Sequence, residues 1–394
     1  MHDTVFCGGP IYTPWREIED GWLRVRDGRI DGMGRGAPPS AGRTVDLAGR
    51  KLVPGFIELH MHGRSGVSVM DVVREPEALA RLSADLPATG VTTFVPTTLT
   101  DEWPRTLAVI TALAEAIRGG LCAGAQPAGI YSEGVFFNPV RCGAQNPARL
   151  RPPSPADVAE LLAAGRGLVR VLALSPELPG AAESVRLLSA EGVVASMAHT
   201  DAEFQHVTAA VEVGLTHATH LFNAMRPMSH LALGAAGAGL CLDCLTVEII
   251  ADGLHLMPRI VELVFRCKGP DRIVLITDSV EFAGCPDGEY DFSGVPVRKT
   301  GPKLEVIRDG PFSLAGSCLT LDAALRNALS FTGRPMTQVL PCVTANPARI
   351  LGLNRKGSLA PGMDADIAVL DEQNRVCAAL AKGRVLFDDG VIGE

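Results

Sequence analysis

The stretch GFIELHMHG, residues 55–63, ends an apolar run with two histidines that are separated by one residue. Side chains alternate between the two faces of a β-strand, so we expect His60 and His62 to project from the same face. Two neighbouring imidazoles are costly to bury without a partner, and imidazole is a good ligand for zinc and related divalent ions. The stretch therefore predicts a buried strand that ends at a metal site.

Seven similar apolar runs follow along the chain and alternate with amphipathic stretches. Together with the first run, they are residues 55–62, 91–97, 128–134, 169–175, 193–199, 218–224, 246–252 and 273–279. Apolar residues at three- and four-residue spacing in 76–86, 157–165 and 181–192 predict helices between them. This alternation is typical of βα units, and eight strands fit an α/β fold of the (β/α)8 TIM-barrel type over residues 54–354.

Both ends of the chain have a different pattern, with short strand-like segments broken by glycine and aspartate. Residues 1–53 and 355–394 each lack enough apolar surface to form a core alone. Since chain ends often lie close together, we expect the two segments to assemble into one small β-sandwich domain beside the barrel.

The composition excludes several classes of function for this chain of 394 residues. A formal net charge of −8 argues against a nucleic-acid or anionic-membrane partner, because either would favour a basic patch. We see no secretory signal at the N-terminus, and the uncharged stretch 229–242 is too short to span a bilayer. Ten scattered cysteines without a dense framework predict free thiols in a reducing cytosol. We therefore expect a cytoplasmic protein that acts on a small molecule.

Imidazole and carboxylate side chains recur at the ends of the predicted strands. They are His60, His62, Glu133, His199, His220 and Asp278. The carboxyl ends of barrel strands meet at one face, so we expect these side chains to converge. Four imidazoles and two carboxylates can hold one or two divalent ions, zinc before iron(II), manganese or cobalt, with positions left open for water. The six lysines all lie away from the predicted strand ends, so a bridging ligand has to be Glu133 rather than a carboxylated lysine.

Such a centre has the parts for hydrolysis of an amide or a related bond. A bound ion lowers the pKa of its water toward 7 and supplies a nucleophile at neutral pH. A carboxylate at the last strand can take a proton from the attacking water and return it to a leaving amine.

Motifs along nearly the whole chain resemble those of the amidohydrolase superfamily, and specifically of the N-acetylglucosamine-6-phosphate deacetylases. In chain order they are PGFIELHMHG, GVTTFVPT, SEGVFFNP, MAHT, THLFNAM, IADGLH, LITDS, LAGSCLTLDAALRN, TANPARILGL and GSLAPGMDADIAVLD. Each motif alone is weak, whereas the ordered set is specific. The resemblance implies deacetylation of an amino sugar by a homodimeric enzyme.

The resemblance also implies how five of the six strand-end residues share the metal. Glu133, His199 and His220 match the ligands of the ion that all family members hold. His60 and His62 match members that bind a second ion, with Glu133 as the bridge.

Further positions match family residues that meet the substrate. Asp278 resembles the catalytic acid and base, which in the family can also touch a metal. His255 resembles the residue that contacts the amide carbonyl and stabilises the oxyanion. Asn223 and Ala224 match positions that bind the sugar or its phosphate.

Two positions depart from the family pattern. Members usually carry an arginine eleven residues after the second metal histidine, which reaches across the dimer to the substrate phosphate; counting from His220 gives Leu231. A leucine can neither neutralise a phosphate nor donate to it. Gln145 stands where many members have a histidine that meets the sugar, and we expect it to contact the substrate. Either Arg226 or Arg141 brings a cation to the phosphate instead, or the substrate is an unphosphorylated or modified amino sugar.

Two other functions stay open at this point. One is hydrolysis of another amide, such as an N-acyl-D-amino acid or a cyclic amide. The other is a non-catalytic scaffold that kept the barrel and lost the chemistry.

Overall fold

The computed structural model describes residues 3–308 and 313–393. The chain begins with five strands: β1 (Asp3–Tyr12), β2 (Glu17–Arg26), β3 (Arg29–Arg35), β4 (Arg43–Asp46) and β5 (Lys51–Pro54). Six short 3-10 helices occur in the described part of the chain, at Val69–Val73, Leu86–Thr89, Pro139–Arg141, Pro147–Arg149, Pro270–Arg272 and Leu340–Val343. None of the described helices combines the length and the apolarity needed to cross a membrane.

Strands that alternate with helices form the central part of the molecule; they are parallel except for the short antiparallel pair at Gly63–Arg64 and Val67–Ser68. The strands are β6 (Phe56–Met61), β7 (Gly63–Arg64), β8 (Val67–Ser68), β9 (Val91–Pro96), β10 (Gln126–Pro127), β11 (Ile130–Ser132), β12 (Val169–Leu174), β13 (Val194–Met197), β14 (Leu215–Ala218), β15 (Thr246–Ile249) and β16 (Ile273–Leu275). The helices are α1 (Ala78–Asp85), α2 (Trp103–Arg118), α3 (Pro155–Ala164), α4 (Ala181–Ala190), α5 (Phe204–Glu212), α6 (Gly234–Cys241), α7 (Pro258–Lys268), α8 (Leu321–Thr332), α9 (Met336–Val339) and α10 (Ala345–Ile350).

The sheet curls into a barrel of eight parallel strands. Strands β11 to β16 pair in chain order, and β6 pairs with β9. A parallel bridge between Thr97 and Tyr131 joins β9 to β11, and a second between Met61 and the segment after β16, at Ser279, closes the circle. The predicted TIM-barrel-type α/β fold is confirmed. Most residues of its strands are buried, as every residue of Phe56–Met61 is, because helices cover the outside and side chains fill the inside.

One predicted strand is wrong in its position. The sequence pattern predicts a strand over 218–224, whereas β14 ends at Ala218. Beyond it, His220, Phe222 and Ala224 have φ values of 28°, 79° and 51°, which an extended strand does not allow. The predicted strand therefore begins where the real strand ends, and its apolar residues line a tight loop at the barrel mouth.

The two ends of the chain share one sheet. After the hairpin strands β17 (Gly288–Phe292), β18 (Val295–Thr300) and β19 (Lys303–Val306), the chain ends with β20 (Ile367–Leu370), β21 (Val376–Ala381) and β22 (Arg384–Asp388). The sheet has the order β22-β21-β20-β5-β1-β2-β3, and β4 pairs with β1. Ile367 and Val369 belong to the core of this sheet, whereas Ala368 and Leu370 belong to the barrel core. Alternation along β20 thus ties the terminal sheet to the barrel.

Candidate metal centre

The predicted ligands converge at the carboxyl ends of the barrel strands. Only His60 lies within a strand; the other members follow strand ends by one to three residues, namely His62, Glu133, His199, His220 and Asp278. Two groups of three have ligand atoms within 4.8 Å of one another: His60 with His62 and Glu133, and Glu133 with His199 and His220. Glu133 belongs to both groups, so the two groups adjoin at its carboxylate.

Glu133 turns one carboxylate oxygen toward each histidine pair. Its Oε1 lies 2.9 Å from His220 Nε2 and 3.3 Å from His199 Nε2. Its Oε2 lies 3.1 Å from His62 Nε2 and 3.7 Å from His60 Nε2. A carboxylate with this division of its oxygens has the geometry of a bridging ligand between two ions.

Hydrogen bonds at Nδ1 leave the opposite nitrogen of three histidines available for a ligand. His62 Nδ1 lies 3.1 Å from the carbonyl oxygen of Thr97, and His199 Nδ1 lies 3.0 Å from that of Arg141. Since a carbonyl oxygen only accepts, both rings carry a proton on Nδ1. His60 Nδ1 faces the carboxylate of Glu248 at 3.0 Å in the same way. The Nε2 atoms therefore point toward Glu133, as neutral histidine ligands require.

Glu248 is a functional candidate that the strand-end pattern misses. It lies in the middle of β15 and is fully buried. Besides His60, its carboxylate contacts His217, whose Nε2 lies 3.0 Å from Oε1. A carboxylate inside the apolar run TVEII could have signalled this position, because an acidic side chain is rarely buried without a partner.

Burial and mutual attraction act against each other on the pKa values of the cluster. Burial raises the pKa of Glu133, but hydrogen bonds from His199 and His220 outweigh it and hold the pKa well below its usual range. Burial lowers the pKa of His62, whereas hydrogen bonds to Asp278 and Glu133 raise it to about 9. The carboxylate is thus ionised at neutral pH while His62 holds a proton, which a metal ion has to displace.

Backbone strain is concentrated at these strand ends. His199, His220 and Asp278 have φ values of 45°, 28° and 49°, in the left-handed region that residues other than glycine rarely adopt. Such conformations cost about 1–3 kcal/mol each and persist only where the surrounding structure enforces them. Their position at the candidate ligands and at Asp278 is typical of a functional site.

A cavity of about 320 Å³ opens above the cluster. It is lined by ligands and by four of the predicted substrate residues, Gln145, Asn223, Ala224 and His255. The Gln145 side chain also accepts from the N–H of Thr100 at 3.0 Å and donates to Glu133 Oε2 at 3.3 Å. The Asn223 amide donates to the carbonyl of His220 at 3.1 Å. Both amides therefore hold the walls of the site as well as facing the cavity.

Asp278 and His255 face the same cavity from different strand ends. Asp278 Oδ1 lies 3.2 Å from His62 Nε2, which places the carboxylate against the His60 and His62 group. Burial raises the pKa of Asp278, but the hydrogen bond to His62 and the charges of His60 and His62 bring it below its ordinary value. His255 Nδ1 lies 2.6 Å from Asp252 Oδ2, so the Asp252 carboxylate fixes the ring with its other nitrogen free to turn to the cavity.

None of the described arginines lines the cavity, and Arg308 is one that contacts a cavity residue. Arg226 does not line the cavity; its Nη1 donates to Glu203 at 3.0 Å. Arg141 Nε donates to Asp201 at 2.8 Å. Arg308, which no sequence pattern singled out, follows β19 and donates from Nη1 to the carbonyl of Gly143, a cavity residue, at 3.1 Å. Leu231 is 86% exposed and lies outside the cavity wall.

The donor set fits a divalent cation. Four imidazole nitrogens and a carboxylate converge in a buried cluster, and three of the imidazoles have their other nitrogen hydrogen-bonded. His220 Nδ1 is buried without a hydrogen-bond partner among the described residues, so its ring is held by its Nε2 contacts. Nitrogen and oxygen donors with second hydrogen bonds are the usual environment of zinc and related ions.

Comparison with known proteins gives a consistent result over nearly the whole chain. Residues 52–392 match the amidohydrolase family. N-acetylglucosamine-6-phosphate deacetylase of Bacillus subtilis (strain 168) is 34% identical over 96% of this chain and 95% of its own length. N-acetylgalactosamine-6-phosphate deacetylase of Escherichia coli O157:H7 is 36% identical over 90% of this chain and 92% of its own.

Solved structures agree with the sequence matches. A variant of N-acetyl-D-glucosamine-6-phosphate deacetylase from Mycobacterium smegmatis, in complex with N-acetyl-D-glucosamine-6-phosphate, superposes with a TM-score of 0.92. It is 33% identical, and the match covers 98% of this chain and 100% of that one.

Proposed function

The chain belongs to the amidohydrolase family and hydrolyses carbon–nitrogen amide bonds, and we propose that its substrate is an N-acetylated amino sugar 6-phosphate. N-acetylglucosamine 6-phosphate is the first candidate, and its products are acetate and the free amine. The observation that carries this proposal is the Glu133 carboxylate, which faces one histidine pair with each oxygen on the floor of a cavity. The names of the relatives support the sugar phosphate.

Glu133, His199 and His220 would hold one ion, and His60, His62 and Glu133 a second, with zinc as the proposed metal. Bound there, the ions supply an acidified water and polarise the acetyl carbonyl. The tight clustering of the donor atoms supports this division. The chain's own residues then have to orient the amide, move one proton and stabilise one oxygen.

Asp278 moves the proton in this proposal. Its carboxylate, ionised because its pKa is lowered, accepts a proton from the attacking water as the water oxygen bonds to the acetyl carbon. The same proton then passes to the sugar nitrogen as the carbon–nitrogen bond breaks. Deprotonated and protonated forms of one carboxyl group thus serve both halves of the reaction.

His255 stabilises the oxygen of the acetyl group. Asp252 accepts the Nδ1 proton of His255 at 2.6 Å and so fixes the ring, with the other nitrogen placed to donate a hydrogen bond to that oxygen. A donor held in place before the reaction stabilises charge that develops on the carbonyl oxygen.

The 6-phosphate meets Arg308 in this proposal. Leu231 cannot take that role, and Arg226 and Arg141 are held by acidic side chains. Arg308 uses one N–H on the Gly143 carbonyl, and a guanidinium has five N–H donors that suit a phosphate. Because Leu231 offers no charge or hydrogen bond to a phosphate, the unphosphorylated sugar is the second candidate, which the names of the relatives do not favour.

The assembly and the domain division complete the proposal. A homodimer is proposed because the family resemblance implies one. The terminal sheet, from residues 1–53 and 355–394, is proposed to form a small β-sandwich domain beside a barrel of residues 54–354. The separate cores of the sheet and the barrel support this division.

The test is a substrate panel with the zinc-loaded protein. It compares N-acetylglucosamine 6-phosphate, its 4-epimer N-acetylgalactosamine 6-phosphate, unphosphorylated N-acetylglucosamine, and N-acetyl-D-amino acids, with acetate release as the readout. We expect a phosphorylated sugar to have the highest kcat/KM. Equal rates with and without the phosphate would indicate the unphosphorylated sugar as the substrate instead. A preference for N-acetyl-D-amino acids would overturn the proposal of an amino-sugar substrate.

A further inference from the structure

A buried carboxylate below the metal centre contacts both histidine pairs but is too deep to reach the cavity. Glu248 Oε2 lies 3.0 Å from His60 Nδ1 and accepts the backbone N–H of His220 at 3.3 Å. Glu248 Oε1 lies 3.0 Å from His217 Nε2. The side chain is 0% exposed and is absent from the cavity lining, so it touches no substrate.

We propose that Glu248 is a positioning residue that builds the ion site of His60, His62 and Glu133. Its carboxylate only accepts, so it keeps the His60 proton on Nδ1 and leaves the Nε2 lone pair for the ion. It also fixes the ring plane, with Nε2 at 3.3 Å from His62 Nε2. This proposal rests on the metal centre of the proposed function and adds how one of its two sites is formed.

The position of His60 in the barrel explains why a side chain, rather than a backbone carbonyl, accepts its Nδ1 proton. His62 and His199 lie in loops, where the backbone carbonyls of Thr97 and Arg141 reach their Nδ1 atoms. His60 lies within β6, and its own carbonyl accepts from Asp278 N at 3.0 Å. Inside a barrel the neighbouring strands present side chains rather than carbonyls, so only a buried acceptor such as Glu248 reaches the ring.

His217 contacts the other oxygen of the Glu248 carboxylate. A buried carboxylate with one partner is costly, because half of its hydrogen-bonding capacity is lost. His217 Nε2 faces the second oxygen, and its Nδ1 lies 2.6 Å from Thr246 Oγ1 near the other end of the strand. The series Thr246, His217, Glu248 and His60 therefore connects the base of the barrel to the metal centre.

The effect of Glu248 is unequal on the two ion sites. It meets the His60 ring directly, whereas it meets only the backbone N–H of His220. The His199 and His220 site keeps all three of its donor side chains without Glu248. Loss of the carboxylate should therefore weaken one ion and leave the other in place.

The experiment measures metal content and metal release in the zinc-loaded Glu248→Gln protein. Gln keeps the shape but can place its NH₂ group against His60, which reverses the hydrogen bond. We expect the zinc content to fall from two ions per chain toward one, and the ion at His60 and His62 to leave to a chelator about 10–100-fold faster. Release of the ion at His199 and His220 should match that of the wild type.

The matched control is Glu58→Gln, in the same barrel interior. Glu58 is 1% exposed, and its Oε1 accepts the backbone N–H groups of His60 at 3.2 Å and Thr277 at 3.3 Å rather than a ring N–H. This variant should keep both ions. His217→Gln, which only loosens Glu248, should shift the same ion by a smaller factor and serves if Glu248→Gln does not fold.

The outcomes separate this proposal from the proposed function. A Glu248→Gln protein that keeps two ions with wild-type release rates overturns the positioning role, and so does equal loss in Glu58→Gln. A wild-type protein that binds no zinc, or that binds it without deacetylating any sugar, overturns the proposed function instead.

Discussion

The two histidine pairs of the metal centre are built in different ways. His60 and His62 come from one strand and its end, so local alternation alone puts them on the same face. His199 and His220 lie 21 residues apart and follow two neighbouring strands, β13 and β14, with strained backbones at both positions. The first pair depends on sequence spacing and the second depends on strand order.

The contacts that orient the histidine rings also differ between the two pairs. The first pair has a hydrogen-bond acceptor at each Nδ1, from Glu248 and the Thr97 carbonyl. In the second pair, the Arg141 carbonyl accepts from His199 Nδ1, and this ring also stacks on Phe137 with ring centres 4.5 Å apart, whereas His220 Nδ1 has no partner among the described residues. Hydrogen bonds at Nδ1 thus orient both rings of the first pair but only one ring of the second.

Glu133→Ala should have the largest effect, because it removes the one residue that both pairs share. We expect both ions to be lost and deacetylase activity to fall to background, with the barrel still folded. Elemental analysis together with circular dichroism checks this. If the variant keeps one tightly bound ion, Glu133 is not the bridge and the two pairs are independent.

Asp278→Asn should separate chemistry from metal binding. The change removes the base but leaves both ligand groups, so kcat should fall by about 10²–10⁴-fold while the metal content is unchanged. Steady-state kinetics and elemental analysis on the same preparation provide the measurement. Near-normal turnover would remove Asp278 from the mechanism, and loss of an ion would assign it to the first pair as a ligand.

The free energy of unfolding of the metal-free protein should depend on pH through His62, a member of the first pair. Burial disfavours the His62 imidazolium, but hydrogen bonds to Asp278 and Glu133 raise its pKa to about 9. A raised pKa contributes stability that is fully present below the unfolded value of 6.5 and is lost as pH rises through about 9. The free energy of unfolding should therefore fall by about 2–3 kcal/mol between pH 6.5 and pH 9.5.

Thermal melting of chelator-treated protein across this range measures the effect. Zinc-loaded protein is the control, because the ion replaces the proton and its melting temperature should not follow the same curve. A metal-free melting temperature that stays constant or rises with pH would contradict the account of His62.

Arg308→Ala should have the smallest effect and leave both pairs intact. We expect kcat/KM for a phosphorylated sugar to fall about tenfold, the scale of a lost charge-assisted hydrogen bond. The rate for the unphosphorylated sugar and the metal content should not change. A matched loss for both sugars would show that Arg308 supports the loop of Gly143 rather than the phosphate.

The sequence was sufficient for features that rest on local pattern. The strand that ends in His60 and His62, the alternation of strands and helices, and the donor residues at strand ends all follow from periodicity. The strand predicted over 218–224 was displaced, because apolar residues such as Leu221 are buried in a loop and look like strand residues in sequence.

Other features depend on contacts that the sequence does not encode locally. Glu248 meets His60 from 188 residues away, so its role appears only when β15 and β6 lie in one barrel. Arg308 reaches the carbonyl of Gly143, 165 residues away, from beyond a hairpin that no motif marks. Gln145, expected at the sugar, also holds Glu133, which only the folded distance of 3.3 Å reveals.

The central claim is that Glu133 joins two ion sites of unlike construction. Anomalous diffraction at the zinc edge from crystals of the zinc-loaded protein tests it directly. The account predicts two peaks about 3.5–4 Å apart on either side of the Glu133 carboxylate, one beside His60 and His62 and one beside His199 and His220. A single peak, or two peaks that do not both contact Glu133, would contradict it.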